Sequence, residues 1–158
     1  MSLALVRLDD RLIHGQVVVG WGQPLNASFI VLVDDEVRGS EWEQDLYRMG
    51  VPHQMEVVFA SLAEAERRLP DWEADARTGI LLAGDIDTMT ALVAAAAGRI
   101  RQVNIGGVHH RAGRRERLRY VYLTDEEAAK LHRLASDGIL VSAQDVPTAR
   151  AVPIGEFL

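Results

Sequence analysis

Short apolar runs recur along this chain at residues 4–8, 29–33, 56–59, 79–83, 102–105, 120–123 and 140–143, with helix-length segments between them. The runs are continuous rather than alternating, which marks strands covered on both faces. Strand–helix alternation of this kind points to an α/β fold: one three-layer domain with a mainly parallel central sheet of six or seven strands and helices on both faces. The helix candidates are 15–22, 40–49, 61–69, 87–97 and 124–136. Ser61 with Glu64, and Thr124 with Glu127, have the spacing of a capping box, and Gly138 stands just past the end of its helix. Trp42, Leu46 and Met49 recur at helical spacing and predict a buried face. Trp21 and Trp42 are assigned to the core. No Ser/Pro/Gly-rich linker and no internal repeat divide the chain, so residues 1–158 are expected to form a single domain.

The bulk properties set limits. The 158 residues are 48% hydrophobic and 25% charged, an ordinary globular balance. No apolar run approaches the roughly 18–20 residues of a membrane span. The first residues lack a basic segment followed by an apolar core, so no signal peptide is read. There are no cysteines, hence no disulfides and no thiolate metal site. Together these point to the cytoplasm. The net charge of −6 argues against generic nucleic-acid binding. Six arginines nevertheless stand between Arg101 and Arg119 with Glu116 as the only acid among them. Such a block is a solvated face, an anion site or a docking patch. Aromatic residues do not interleave with it, which disfavours RNA.

The residues with the most chemistry are Arg7-Leu8-Asp9-Asp10-Arg11-Leu12-Ile13-His14-Gly15-Gln16-Val17. They join the first strand to the first helix candidate. The carboxyl end of a strand in an open α/β sheet is where ligands bind, and a helix start offers N–H groups to an anion. A neutral imidazole can attack phosphorus, and arginine forks meet phosphate oxygens in pairs. His14 is therefore the candidate nucleophile. Arg11, on the turn itself, is the candidate direct ligand. Arg7 is either a second ligand or half of a structural ion pair. Gly15 is expected to free the backbone beside His14.

This stretch resembles the active-site signature of the IIB subunits of the mannose/fructose/sorbose family of the bacterial phosphotransferase system. Residues 30–37 are similar to that family's second strand and acidic turn. Val103-Asn104-Ile105-Gly106-Gly107-Val108-His109-His110 resembles its Gly-Gly loop, and residues 123–127 and 146–148 resemble its late helix start and last strand. The resemblance implies a phosphohistidine carrier. His14 would accept a phosphoryl group on its δ nitrogen from a separate IIA protein, and pass it to a sugar carried by membrane IIC and IID subunits. It implies no cofactor and no metal. Arg11 would act with His14, while Arg7, Asp10, Gly15 and Gln16 would bind the phosphoryl group or support the loop. Asp34, Asp35, Gly107 and His109 are outer neighbours. Association with the membrane through IIC and IID, and self-association, are compatible with it. Two other functions stay open: a regulatory carrier without sugar transport, and a non-catalytic anion- or nucleotide-binding module.

Asp9 and Asp10, joined by Asp34, Asp35 and Glu36, would also suit a magnesium pocket like that of a receiver domain. Two arginines in the same turn would compete with the cation, and no lysine partner is identifiable. Carboxylates that orient Arg11 or the ring of His14 are the more economical reading. Adjacent His109 and His110 are poorly placed to share one metal, and His53 and His132 read as surface residues.

Overall fold

Six of the seven apolar runs lie side by side in the computed structural model, which describes residues 2–158. They are β1 (Leu3–Leu8), β2 (Phe29–Val33), β3 (Glu56–Ala60), β4 (Gly79–Ala83), β5 (Gln102–Ile105) and β8 (Leu140–Ala143), all parallel. The seventh run departs from expectation. It forms β7 (Val121–Leu123), which leaves the sheet and pairs with β6 (Arg115–Leu118) as an antiparallel hairpin. Four residues of the segment between β5 and β7 thus form a strand, β6. The seventh place in the sheet goes to the two-residue β9 (Val152–Pro153), antiparallel to β8. The strand order is β3-β2-β4-β1-β5-β8-β9.

Handedness explains how the helices divide. Crossovers between parallel strands are right-handed, so a chain moving one way along the sheet covers one face and a returning chain covers the other. From β1 to β2 to β3 the chain moves outward. Its connections are a π-helical turn (Gln16–Trp21), α1 (Asp35–Arg38) and α2 (Glu41–Met49). From β3 to β4 to β5 to β8 it moves back through α3 (Leu62–Glu73), α4 (Ile86–Ala95) and α5 (Asp125–Ser136). Leu69, Met89, Leu92 and Leu131 bury the second group against Val31, Leu81 and Val103. Val17, Val18, Trp21 and Val37 bury the first group against Leu5, Ile30, Leu32 and Leu82. The first group covers only part of its face. Over β5 and β8 a groove of about 660 Å³ remains, floored by Gln102, Asn104, Leu140 and Ser142.

Local signals set most helix ends. Ser61–Glu64 and Thr124–Glu127 both form the complete capping box, each cap contributing about 1 kcal/mol. α3 runs on through Pro70 to Glu73, past the expected end at residue 69. Gly138 adopts φ +92° after α5, a conformation open to glycine without strain. The first helix candidate closes i→i+5 bonds, with Gly22 N–H on Val17 O at 2.9 Å, so it is a π-turn; such turns cluster at functional sites. The expected apolar face of α2 is not buried. Trp42, Leu46 and Met49 are 69%, 56% and 83% exposed, because α2 lies outside the sheet layer and meets it chiefly through Tyr47. Trp42 is therefore a surface residue, whereas Trp21 is in the core.

Candidate active site

The connection after β1 leaves toward one face of the sheet, and those after β4 and β5 leave toward the other. Diverging loops open a crevice at the carboxyl ends of the strands, and the turn from Asp9 to Gly15 occupies it. Asp9 N–H bonds Ala83 O at the end of β4 (2.9 Å), and Gly106 N–H bonds Leu8 O (2.7 Å). Leu12 in this turn holds φ +62°. A non-glycine side chain in that region carries strain that the surrounding structure must hold, a common trait of active sites.

Arg7 shares its face of β1 with Leu5, among apolar residues of β2 and β4, and is fully buried. Burial lowers the pKa of the guanidinium, and the charge of Asp9 opposes that. A buried charge persists only when paired and hydrogen-bonded. Arg7 meets that demand through Asn104 Oδ1, Gln144 O at 2.9 Å, Asp145 O at 3.0 Å and Asp9 Oδ2 at 3.2 Å. Its guanidinium also lies 5.0 Å from the ring centroid of Trp21. With no exposed surface, Arg7 cannot touch a phosphoryl group; it supports the loop from beneath.

Asp9 is the hub, and it is fully buried too. Arg11 donates to it three times, from its backbone N–H (3.1 Å), Nε (2.9 Å) and Nη2 (2.8 Å). His14 Nε2 lies 3.3 Å from Asp9 Oδ2. Burial works against the charged carboxylate. The hydrogen bonds from His14 and Arg11 and the charge of Arg7 outweigh it, and Asp9 is held well below the usual carboxylate range.

The other face of the His14 ring decides its chemistry. The Gln16 backbone N–H donates to His14 Nδ1 at 3.2 Å. Nδ1 therefore carries the lone pair, and Nε2 carries the proton that Asp9 accepts. Gln16 Oε1 accepts from Arg11 Nη1 at 2.5 Å, which ties the two ligand candidates together. Arg11 keeps part of its side chain at the surface, and its pKa is raised by the hydrogen bond to Asp9.

A second set of bonds brings the loop after β5 onto this turn. Asp10 N–H donates to Gly107 O (2.8 Å), and Asp10 accepts from His109. The glycines are needed for close approach: a Cβ on Gly106 would overlap the Arg7 guanidinium and the Asp9 carboxylate, and one on Gly107 would come within 2.9 Å of Arg11 Nε.

Residues 3–158 match the family model of the PTS system sorbose subfamily IIB component. The chain belongs to this family. This IIB component is 30% identical over 156 residues to the sorbose-specific EIIB component of Klebsiella pneumoniae, covering 98% of this chain and 93% of that one. It is 28% identical over 148 residues to the mannose-specific EIIAB component of Escherichia coli K12, spanning 94% of this chain but 46% of that longer one. The crystal structure of the IIBSor domain of the Klebsiella pneumoniae sorbose permease superposes with a TM-score of 0.87 at 29% identity, covering 98% and 94% of the two chains. The family match thus spans nearly the whole of the described chain.

The structure brings His14, Arg11, Arg7, Gln16, Asp10, Gly107 and His109 together around the turn after β1. Gly15 is present but plays a different part. Its backbone is ordinary helix, φ −54°, and a Cβ there would meet nothing within 4 Å. It leaves open space beside His14 rather than bending the chain. Asp34 and Asp35 are elsewhere. Asp34 caps α1 through Val37 N–H (2.9 Å), and Asp35 accepts from Leu62 N–H at the start of α3 (2.8 Å). β4 separates their strand from β1, so a shared acidic pocket does not form. Half of the basic block is paired: Arg114 with Glu127, and Arg115 and Arg117 with the single carboxylate of Asp125. Sequence reasoning passed over Asn104, Gln144, Asp145 and Trp21 as site residues, and gave Asp9 only an orienting part. One signal was available. Arg7 and Asp9 are two residues apart and so share a strand face, and a charge pair on a buried face needs polar partners on the neighbouring strands.

Proposed function

We propose that this IIB component is a phosphohistidine carrier that takes a phosphoryl group on Nδ1 of His14 from a IIA protein. It passes the group to a sugar handled by membrane IIC and IID subunits, from the cytoplasmic side. The observation that carries the reading is the fixed tautomer of His14, with Asp9 on Nε2 and a lone pair at Nδ1. In the transfer, the Nδ1 lone pair forms the new N–P bond as the N–P bond of the donor imidazole breaks, and the electron pair returns to the donor ring. No proton has to leave His14. The ring gains positive character, and the Asp9 carboxylate, held ionised by two arginines, stabilises it. The roles are those of positioning and preorganised charge.

Arg11 and the Gln16 N–H supply the donors. The Gln16 N–H faces Nδ1 and would exchange its bond there for one to a phosphoryl oxygen, and Arg11, bonded to Gln16 Oε1, is the charge assigned to that group. Membership of the sorbose subfamily supports the sugar, and the joined A and B parts in the name of the mannose relative support the IIA donor. Among the described residues no helix is long and apolar enough to cross a membrane, so sugar translocation is assigned to other subunits. We take residues 1–158 as one carrier domain. The test is incubation with phosphorylated IIA protein, followed by mapping of acid-labile phosphate and ³¹P NMR to identify the ring nitrogen. Label on Nδ1 of His14 is the expected result; label elsewhere, or none, overturns the reading.

A further inference from the structure

Adjacent carboxylates hold two histidines in opposite senses. Asp9 faces Nε2 of His14 and leaves Nδ1 to react. Asp10 faces Nδ1 of His109 at 2.5 Å and also accepts the His109 backbone N–H at 2.7 Å, so Nε2 of His109 is on the outer side. Asp10 returns a bond from its own N–H to Gly107 O at 2.8 Å. Three bonds around one largely shielded residue therefore fasten the loop after β5 to the turn after β1. His109 is fixed from behind as well. Its carbonyl accepts from Arg114 Nη1 (2.8 Å), whose other nitrogens grip Glu127 at the start of α5 (2.9 and 2.8 Å).

This clamp bears on the chemistry through the glycines. The Gly106–Gly107 backbone is pressed on Arg7, Asp9 and Arg11 too closely for a Cβ. The same backbone forms part of the wall around the carboxylate that faces the His14 ring. We propose that His109 is a positioning residue for phosphoryl transfer at His14. It acts through Asp10 and the Gly-Gly backbone to hold Asp9 and Arg11 in register. The proposal rests on the reading of His14 as the phosphoryl acceptor.

The test uses phosphoramidate as a small phosphoryl donor, so that no partner surface is involved, with ¹⁵N NMR of the His14 ring as an independent readout. Asparagine places its amide near the position of Nδ1, and glutamine near that of Nε2. His109→Ala should slow labelling at saturating donor by about tenfold, the loss of roughly 1.4 kcal/mol of transition-state stabilisation. It should also weaken the Nε2–H tautomer signature of His14. His109→Asn should restore most of both, and His109→Gln should behave like alanine. If His109→Ala keeps the parent's rate and the parent's ring signals, the proposal is overturned. It is equally overturned if glutamine rescues and asparagine does not, since His109 would then contact the phosphoryl group itself. Should the parent take no label at all, the carrier reading fails, and the ring signals of the same variants still decide the clamp.

Discussion

Asp9 Oδ2 stands 3.3 Å from Nε2 of His14, a carboxylate contact on a ring whose other nitrogen accepts a backbone N–H. That pairing leaves the lone pair on Nδ1. In the proposed transfer it also sets a buried negative charge where the ring would become positive.

Asp9→Asn should therefore hurt twice. Arg7 would remain buried without its counter-charge, which costs about 3–5 kcal/mol for a broken buried pair. The urea midpoint should drop accordingly. Phosphoryl uptake should fall by at least about tenfold, because the amide can offer a donor to Nε2 and move the ring proton to Nδ1. Unchanged stability and rate together would remove Asp9 from its central role.

Acid stability should follow the same residue. The folded pKa of Asp9 lies below its unfolded value of about 3.9. A depressed pKa contributes stability that is fully present above the unfolded value and is lost as pH falls toward the folded one. Below about pH 4 the parent should lose stability steeply. The Asp9→Asn variant, already weakened at pH 7, should show a shallower loss across the same window. Urea titrations from pH 7 to pH 3 measure the difference.

Arg11→Lys keeps the charge and gives up the fork that holds Asp9 and Gln16 at once. Transfer at saturating donor should slow about tenfold or more, equivalent to roughly 1.4 kcal/mol. A rate within twofold of the parent in a single-turnover assay would assign Arg11 to structure.

Two glycines should separate cleanly. Gly106→Ala inserts a Cβ into Arg7 and Asp9, and overpacking of this kind costs about 1–3 kcal/mol. Gly15→Ala meets open space at a helical backbone angle. It should leave the fold as stable as the parent or stabilise it by about 0.4–1 kcal/mol. Thermal unfolding of both variants gives the comparison.

The arginines after the Gly-Gly loop should divide by their partners. Arg114→Ser breaks a pair whose arginine is 9% exposed and which braces the α5 capping box, so it should lower stability by about 1–3 kcal/mol. Arg111 and Arg119 are exposed. Replacing both by serine should slow phosphotransfer from IIA protein at limiting partner, with little change at saturation. Added salt should shrink that difference, since the Debye length is about 8 Å at physiological ionic strength. Equal salt slopes for parent and double variant would make these arginines a solvated face.

The chain itself determined six of the seven strands of the sheet, the capping boxes and the motif around His14. These are local: an unbroken apolar run, a Ser or Thr three residues before Glu, a charged turn after a strand. Tertiary structure decided the rest. Residues 120–123 read as a sheet strand, but once β8 pairs directly with β5 no place remains, and they form a hairpin instead. Trp42, Leu46 and Met49 have core spacing, yet periodicity says only that a helix has an apolar face, not that anything lies against it. Asp34 and Asp35 resembled part of a charged pocket until the strand order put β4 between them and His14. Arg7 remained ambiguous in the sequence because its role depends on Asn104, Gln144 and Asp145, distant in the chain and brought beneath it by the parallel pairing of β1, β5 and β8. A motif can name a candidate nucleophile. Which nitrogen reacts, and what holds it, follows from charges that meet only when the strands do.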